Sequence, residues 1–141
     1  MSMDLALLRD TLEHALSVEE DFPRLFYATL LSRHPDLRAL FQRNSPGAQQ
    51  KMFAQKLTAV VDNLDDPDWA KRELSALAHS HASYGVTQEM YPWVGEALID
   101  ALRVSCGAAW SGEAERAWRQ AYVAITQAVL AVPVEAVPTA Q

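Results

Sequence analysis

Apolar residues recur along this chain at intervals of three and four, the period of an α-helix, and nowhere alternate over a length that suits a strand. Leu5, Leu8, Leu12 and Leu16 predict a first helix from Asp4 to Leu16, with Arg9, Glu13 and His14 on its polar face. Ser17 and Glu20 have capping-box spacing. Glu19, Glu20 and Asp21 suit the positive end of a helix dipole, and Pro23, best tolerated in a first turn, places the next start near Asp21. That second helix carries Phe22, Phe26, Tyr27, Leu30 and Leu31 and stops at His34-Pro35. Pro35 to Phe41 is too short for a full helix and predicts one tight turn that delivers Phe41, while Gln42 to Gly47 has the composition of a loop.

A third periodic run begins at Gln49. Phe53, Leu57, Val60, Val61 and Leu64 share one sector, and the polar amide of Gln49 leads it. Asp65-Asp66-Pro67-Asp68 is a break followed by a helix start. On the helix that follows, Leu74, Leu77, Ala78 and His81 fall within one apolar sector roughly 100° wide, His79 points away from it, and Gly85 stops the helix one turn later. Thr87 is expected to cap a helix from Gln88 to Cys106 that buries Tyr91, Val94, Leu98, Ala101 and Leu102, with Gly95 and Ala97 small enough for a second helix to approach closely. Gly107 closes it. Ser111 is expected to cap a last helix bearing Trp118, Ala121, Tyr122, Ile125 and Val129, which Pro133 ends.

Six helices of unequal length, with no repeat and no linker, predict an all-α chain of crossed helices rather than a symmetric bundle. They form one domain over residues 1–132, and residues 133–141 read as a mobile tail without periodicity. With 141 residues, half of them apolar, there is material for a real core. Twelve basic against eighteen acidic side chains leave a net charge of −6 and no basic stripe, which argues against nucleic acid and anionic membranes as partners. The N-terminus is neither a secretory signal nor a span, and Cys106 is the only cysteine, so a reducing cytoplasmic compartment is expected.

The candidate chemistry lies in residues that break the apolar stripes. Tyr27, Gln49 and His81 all face inward, and Phe41 arrives between the first two. Each has a plain structural reading. A buried tyrosine needs only a hydroxyl partner, a leading glutamine can belong to a helix start, a phenylalanine to the core, and a lone inward histidine is more often a core residue than a ligand. Together they are costly to bury unless something pairs with them. A haem would pair with all of them: imidazole to iron, donors to a diatomic ligand, and a phenyl ring against the porphyrin. The absence of a Cys-x-x-Cys-His motif makes that haem a non-covalently held haem b.

The residues that carry a family resemblance are FYATLLSRHPDLRALF at 26–41, the helix led by Gln49, SHASYGV at 80–86, MYPWVGEALIDAL at 90–102 and AWRQAYVAITQAVL at 117–130. In these the chain resembles bacterial single-domain globins, similar to the globin part of flavohaemoglobins and in places to neuroglobin, from Leu5 to Leu130. The resemblance implies a globin fold around a haem pocket. It makes His81 the proximal iron ligand, Phe41 the ring wedged against the haem, and Tyr27 and Gln49 the distal residues that stabilise the bound ligand. Phe53, Leu77, Val86, Tyr91 and Val94 would line the cofactor. Gln49 is preferred to Gln50 because it turns Phe53, Leu57, Val60 and Val61 inward, whereas Gln50 would turn Ala54 and Thr58 there. The Leu77 carbonyl, one turn before His81, is the expected partner of the second imidazole nitrogen.

One departure is visible. Pro133 stands where flavohaemoglobins carry a glutamate that works with the tyrosine matching Tyr91 to polarise the proximal histidine, and the nearest acid is Glu135. The resemblance therefore implies weak electron push. Since the sequence stops at Gln141, no flavin and nicotinamide domain is expected, and any reductase would be a separate NAD(P)H-dependent protein. The expected function is reversible binding of dioxygen, with carbon monoxide and nitric oxide as further ligands, by a monomer or homodimer. A nitric oxide dioxygenase served by a separate reductase is the alternative, and a haem or gas sensor ranks last. His14, His34 and His79 are expected at the surface, and the four tryptophans in half-buried or core packing rather than at an interface.

Overall fold

The helical period is realised throughout the described part of the chain. The computed structural model describes residues 4–17, 21–41, 45–83 and 85–132. These form six α-helices, α1 (Leu5–Ser17), α2 (Asp21–Arg33), α3 (Pro46–Asp62), α4 (Pro67–Ser83), α5 (Met90–Cys106) and α6 (Gly112–Leu130), with 3-10 turns at Pro35–Phe41 and Gly107–Ala109. Their lengths run only from 13 to 19 residues. Crossing, rather than unequal length, is what separates this fold from a bundle: α5 packs on α1, α2 and α6, α1 also meets α3 and α6, and α4 lies against α6.

Ends of helices depart from the sequence reading in three places. Ser45 and Pro46, read as loop, are the N-cap and first residue of α3, because the Ser45 hydroxyl accepts the Ala48 N–H at 3.2 Å and proline fits a first turn. Thr87 does not cap α5 through its side chain. Its carbonyl accepts the Met90 N–H at 3.1 Å, and the helix begins at Met90 rather than Gln88. Ser17 is the last residue of α1, its hydroxyl donating to the His14 carbonyl at 2.8 Å, so it closes one helix instead of opening the next. Glu19, Glu20, the Gln42 to Asn44 part of the loop, Pro133, Glu135 and the tail lie outside the described residues. Ser111 caps α6 as expected, accepting from Ala114 N–H at 3.0 Å.

The core sits where α5 crosses α1 and α2. Leu8, Leu12, Phe22, Leu30, Ile99 and Leu102 are buried there, and Trp118 and Ala121 of α6 cover the other side. Among the described residues one buried position, Thr11, is polar. Thr11 receives the Trp118 indole N–H at 2.7 Å and donates to the Leu7 carbonyl at 2.8 Å, so its hydroxyl is satisfied in both roles. A second cluster, Leu74, Ala78 and Val129, seals α4 to α6 and takes in Leu77, Tyr91 and Ile125 at its edge. Trp118 is buried, Trp69 and Trp110 are half-buried, and Trp93 reaches the surface with its ring stacked on His34, which is thereby half-buried rather than free at the surface.

Gly95 is required where α5 meets α6. A Cβ built there would lie 2.6 Å from the Tyr122 ring, a separation at which the ring must move. Gly95→Ala is expected to destabilise the fold. Overpacking costs about 1–3 kcal/mol, and the better helix propensity of alanine returns at most about 1 kcal/mol. A urea midpoint at or above that of the parent protein contradicts this.

Candidate functional site

The side chains that break the apolar pattern gather in two groups. The first is aromatic. Phe26 of α2 stacks on Phe53 of α3 with centroids 4.3 Å apart and planes 2° from parallel. Tyr27 meets three neighbouring rings edge-on: Phe26 at 5.0 Å, Phe41 at 5.2 Å and Phe53 at 5.6 Å. Proline at the start of the 3-10 turn ends α2 and bends the chain so that Phe41 reaches this box. Helical spacing places Gln49 one turn before Phe53 on the same face of α3.

Within the box the amide of Gln49 donates to the Tyr27 hydroxyl at 3.0 Å. Gln49, not Gln50, makes this contact. The bond uses an oxygen lone pair of Tyr27 and leaves the hydroxyl hydrogen available to a further acceptor. Burial pushes the Tyr27 phenol above its ordinary range, and the Gln49 bond offsets only part of that rise, so it is a neutral donor at any physiological pH.

The second group centres on His81, half-buried in the last turn of α4. Val86 donates its N–H to the His81 carbonyl at 3.0 Å and holds that turn against the bend at Gly85. The expected partner of the ring was the Leu77 carbonyl. Instead the Tyr91 hydroxyl, from the first turn of α5, stands 3.4 Å from Nδ1. Among the described residues, Nε2 has no hydrogen-bond partner. Burial lowers the imidazole below its usual 6.5, so it is neutral near pH 7, and in the tautomer with the hydrogen on Nδ1 its Nε2 carries a lone pair. Leu77 is half-buried beside Tyr91 in the α4–α6 cluster, and Val94, one turn beyond Tyr91, packs on the main core.

That depressed pKa has a measurable consequence for the chain with nothing bound. The unfolded chain takes up a proton on His81 before the folded chain does. The stability contributed by the neutral group is complete above pH 6.5 and is lost as pH falls toward the lower folded value. Urea midpoints near pH 7.5 and near pH 5.5 should differ more for the parent than for His81→Ala, and equal differences would contradict the assignment.

Two features of the site were not visible in the pattern. Phe26 was expected only as a member of the α2 stripe, and its stacking on Phe53 depends on where α3 crosses. Tyr122 was expected as an apolar residue of α6, yet its hydroxyl donates to the Tyr91 carbonyl. A phenol on a buried stripe needs such a partner, which was the one signal available. Among the described residues no three His, Cys, Asp or Glu side chains gather as a metal cage. A surface cleft of about 320 Å³ opens between the 3-10 turn and the start of α5, lined by Arg33, His34, Asp36, Leu40, Met90 and Trp93, and shares no residue with either group.

The sequence model of the family described as Globin matches residues 24–129, which spans Tyr27, Phe41, Gln49, His81 and Tyr91. The chain belongs to the globin family. A flavohaemoprotein of Rhizobium meliloti is 36% identical over 99 residues, covering 69% of this globin and 25% of its own length. An engineered carbene transferase from Rhodothermus marinus superposes with a TM-score of 0.77 at 26% identity, over 89% of this globin and 87% of that chain. A Malassezia yamatoensis flavohaemoglobin described with bound FAD and haem gives a TM-score of 0.73 at 25% identity, over 91% of this globin but 35% of that chain. This globin spans between 25 and 30% of the length of the flavohaemoproteins it matches. Among its described residues, no helix is long and apolar enough to cross a membrane.

Proposed function

We propose that this globin binds haem b through His81 and reversibly holds dioxygen, with carbon monoxide and nitric oxide as further ligands. The observation that carries the reading is the state of His81: a neutral, half-buried imidazole whose Nδ1 already faces Tyr91 and whose Nε2 is unclaimed. A single imidazole would suffice for an iron whose remaining donors come largely from a macrocycle. The half-buried apolar residues Phe41, Phe53, Leu77, Val86 and Val94 are of the type that lines such a group, and Tyr91 joins them from α5. Haem iron supplies reversible coordination of a diatomic ligand.

The protein's own part follows from its side chains. With Nε2 as ligand, Nδ1 keeps its hydrogen and donates to the Tyr91 hydroxyl, which fixes the ring plane and raises the basicity of the ligand nitrogen. Tyr27, steadied by Gln49, offers its hydroxyl hydrogen to a ligand carrying partial negative charge, and the rings of Phe26, Phe41 and Phe53 exclude water from that bond. Neither donor titrates near neutral pH, so ligand retention should vary little there.

Visible absorption spectra of the purified protein in ferric, ferrous and oxygenated ferrous forms test the proposal. They report haem content, iron coordination and dioxygen retention together, and a preparation that binds no haem when reconstituted removes it. A second reading, turnover of nitric oxide with a reductase, is favoured by the Rhodothermus marinus neighbour, whose description names nitric oxide dioxygenase, and by the flavohaemoglobin described with bound FAD. Nitric oxide consumption with NADH and a purified reductase separates the two, since a carrier gives no multiple turnovers.

A further inference from the structure

We propose that Trp93 is a positioning residue for Phe41: stacked on His34 from α5, it sets the direction in which the 3-10 turn leaves α2 and so where Phe41 meets Tyr27. Its bearing on ligand retention rests on Tyr27 being the donor to the bound ligand. Tyr27 and Phe41 stand on opposite sides of a hinge. His34 is that hinge, since its N–H closes α2 on the Leu30 carbonyl at 2.9 Å and its own carbonyl opens the turn by accepting the Leu37 N–H at 3.0 Å. Pro35 follows it and biases it away from helical geometry. The side chain at the hinge is pinned: the His34 ring lies 4.1 Å from the Trp93 ring, with the planes 11° from parallel.

The turn needs this second anchor. Leu37 is buried in the main core and fixes one point of the turn, but one point does not fix a direction. The turn runs for seven residues as 3-10 helix, a conformation that is seldom so long because its hydrogen bonds are poorly aligned. It packs mainly on α2, and the cleft of about 320 Å³ parts it from the start of α5. His34 and Trp93 line that cleft, one from each wall, and their rings join the walls. The ion pair of Arg33 with Asp100 also ties α2 to α5. Arg33 is the last residue of α2, so that pair holds the helix before the hinge and not the turn after it. Trp93 is 37% exposed, and an exposed tryptophan ordinarily suggests a partner's anchor. Here one face of it is taken up by the hinge. What the hinge controls is the far end of the turn, where Phe41 meets Tyr27 edge-on with centroids 5.2 Å apart.

A tryptophan that only adds stability would not move one particular ring, so the test reads Phe41. The chain has four phenylalanines, each a separate reporter when the protein is labelled with para-fluorophenylalanine, and Phe41→Leu identifies the Phe41 resonance. Fluorine spectra are recorded on the reduced full chain under carbon monoxide, which keeps any haem iron diamagnetic. In Trp93→Ala the Phe41 resonance should shift more than the other three. His34→Ala should do the same, which also serves should Trp93→Ala not fold. Trp93→Phe keeps a ring for His34 to stack on and should hold the parent position. Asp100→Asn is the control: it breaks the pair with Arg33 and should leave the resonance in place. Dioxygen dissociation should quicken about 3- to 10-fold in Trp93→Ala, less than on losing the Tyr27 donor itself. Adding Phe41→Leu should bring no further acceleration beyond that of Phe41→Leu alone, since the effect passes through Phe41.

A Phe41 resonance that stays in place in Trp93→Ala or in His34→Ala overturns the inference whether or not haem is bound. So does a displaced ring that leaves dioxygen dissociation unchanged. Parent protein that takes up no haem instead removes the proposed function, while the fluorine spectra still decide whether the stack positions Phe41.

Discussion

His81→Ala should abolish stable haem uptake while leaving a folded, helical chain. The imidazole is half-buried at the end of α4 and lies outside the main core, so its loss removes little packing. Groups that merely support a metal ligand command about 10–100-fold in metal affinity, and the ligand itself should command more. Haem titration followed in the visible region gives the affinity, and far-ultraviolet circular dichroism shows that the helices persist. Imidazole added from solution should partly restore the spectrum in the variant, because the vacated site is small and apolar on the side of Leu77 and Ala78. A variant that takes up haem with the parent affinity and spectrum would show that iron is held elsewhere.

The second large effect lies in the aromatic box. Tyr27→Phe should speed dioxygen dissociation by roughly 10- to 100-fold, the value of a hydrogen bond to a charged acceptor of about 1.5–3 kcal/mol. Carbon monoxide carries little charge when coordinated, so its dissociation should change far less. Flash photolysis and stopped-flow mixing compare the two ligands on one preparation. Gln49→Leu should give the same sign with a smaller effect, because its amide donates to the Tyr27 oxygen and steadies a donor that remains. Equal acceleration for both ligands would point to a change in access instead of a lost hydrogen bond.

These expectations began in the sequence, and what carried over is instructive. Faces were legible because periodicity states which side of a helix turns inward. Gln49, Phe53 and Val61 share one side of α3, as do Leu74, Ala78 and His81 on α4. Caps were legible only where side-chain chemistry was local, at Ser111. They failed at Ser17 and Thr87, where a backbone group or a carbonyl of the same helix took the bond. Partners across the fold were out of reach. The Leu77 carbonyl was the nearest acceptor for His81 along the chain, but the fold brought the Tyr91 hydroxyl from the first turn of α5 instead. Thr11 was unmarked for the same reason, since its burial depends on an indole 107 residues away.

That separation also bears on how the molecule is made. While the chain is being synthesised, Thr11 waits for Trp118, which follows 107 residues later. Until then the Thr11 hydroxyl keeps its bond to the Leu7 carbonyl but lacks its indole donor, and α5 is open along the side that α6 will cover. Closure of α1 on α6 therefore waits for α6, and a nascent chain stalled before that helix would expose the apolar flank of α5 to chaperones.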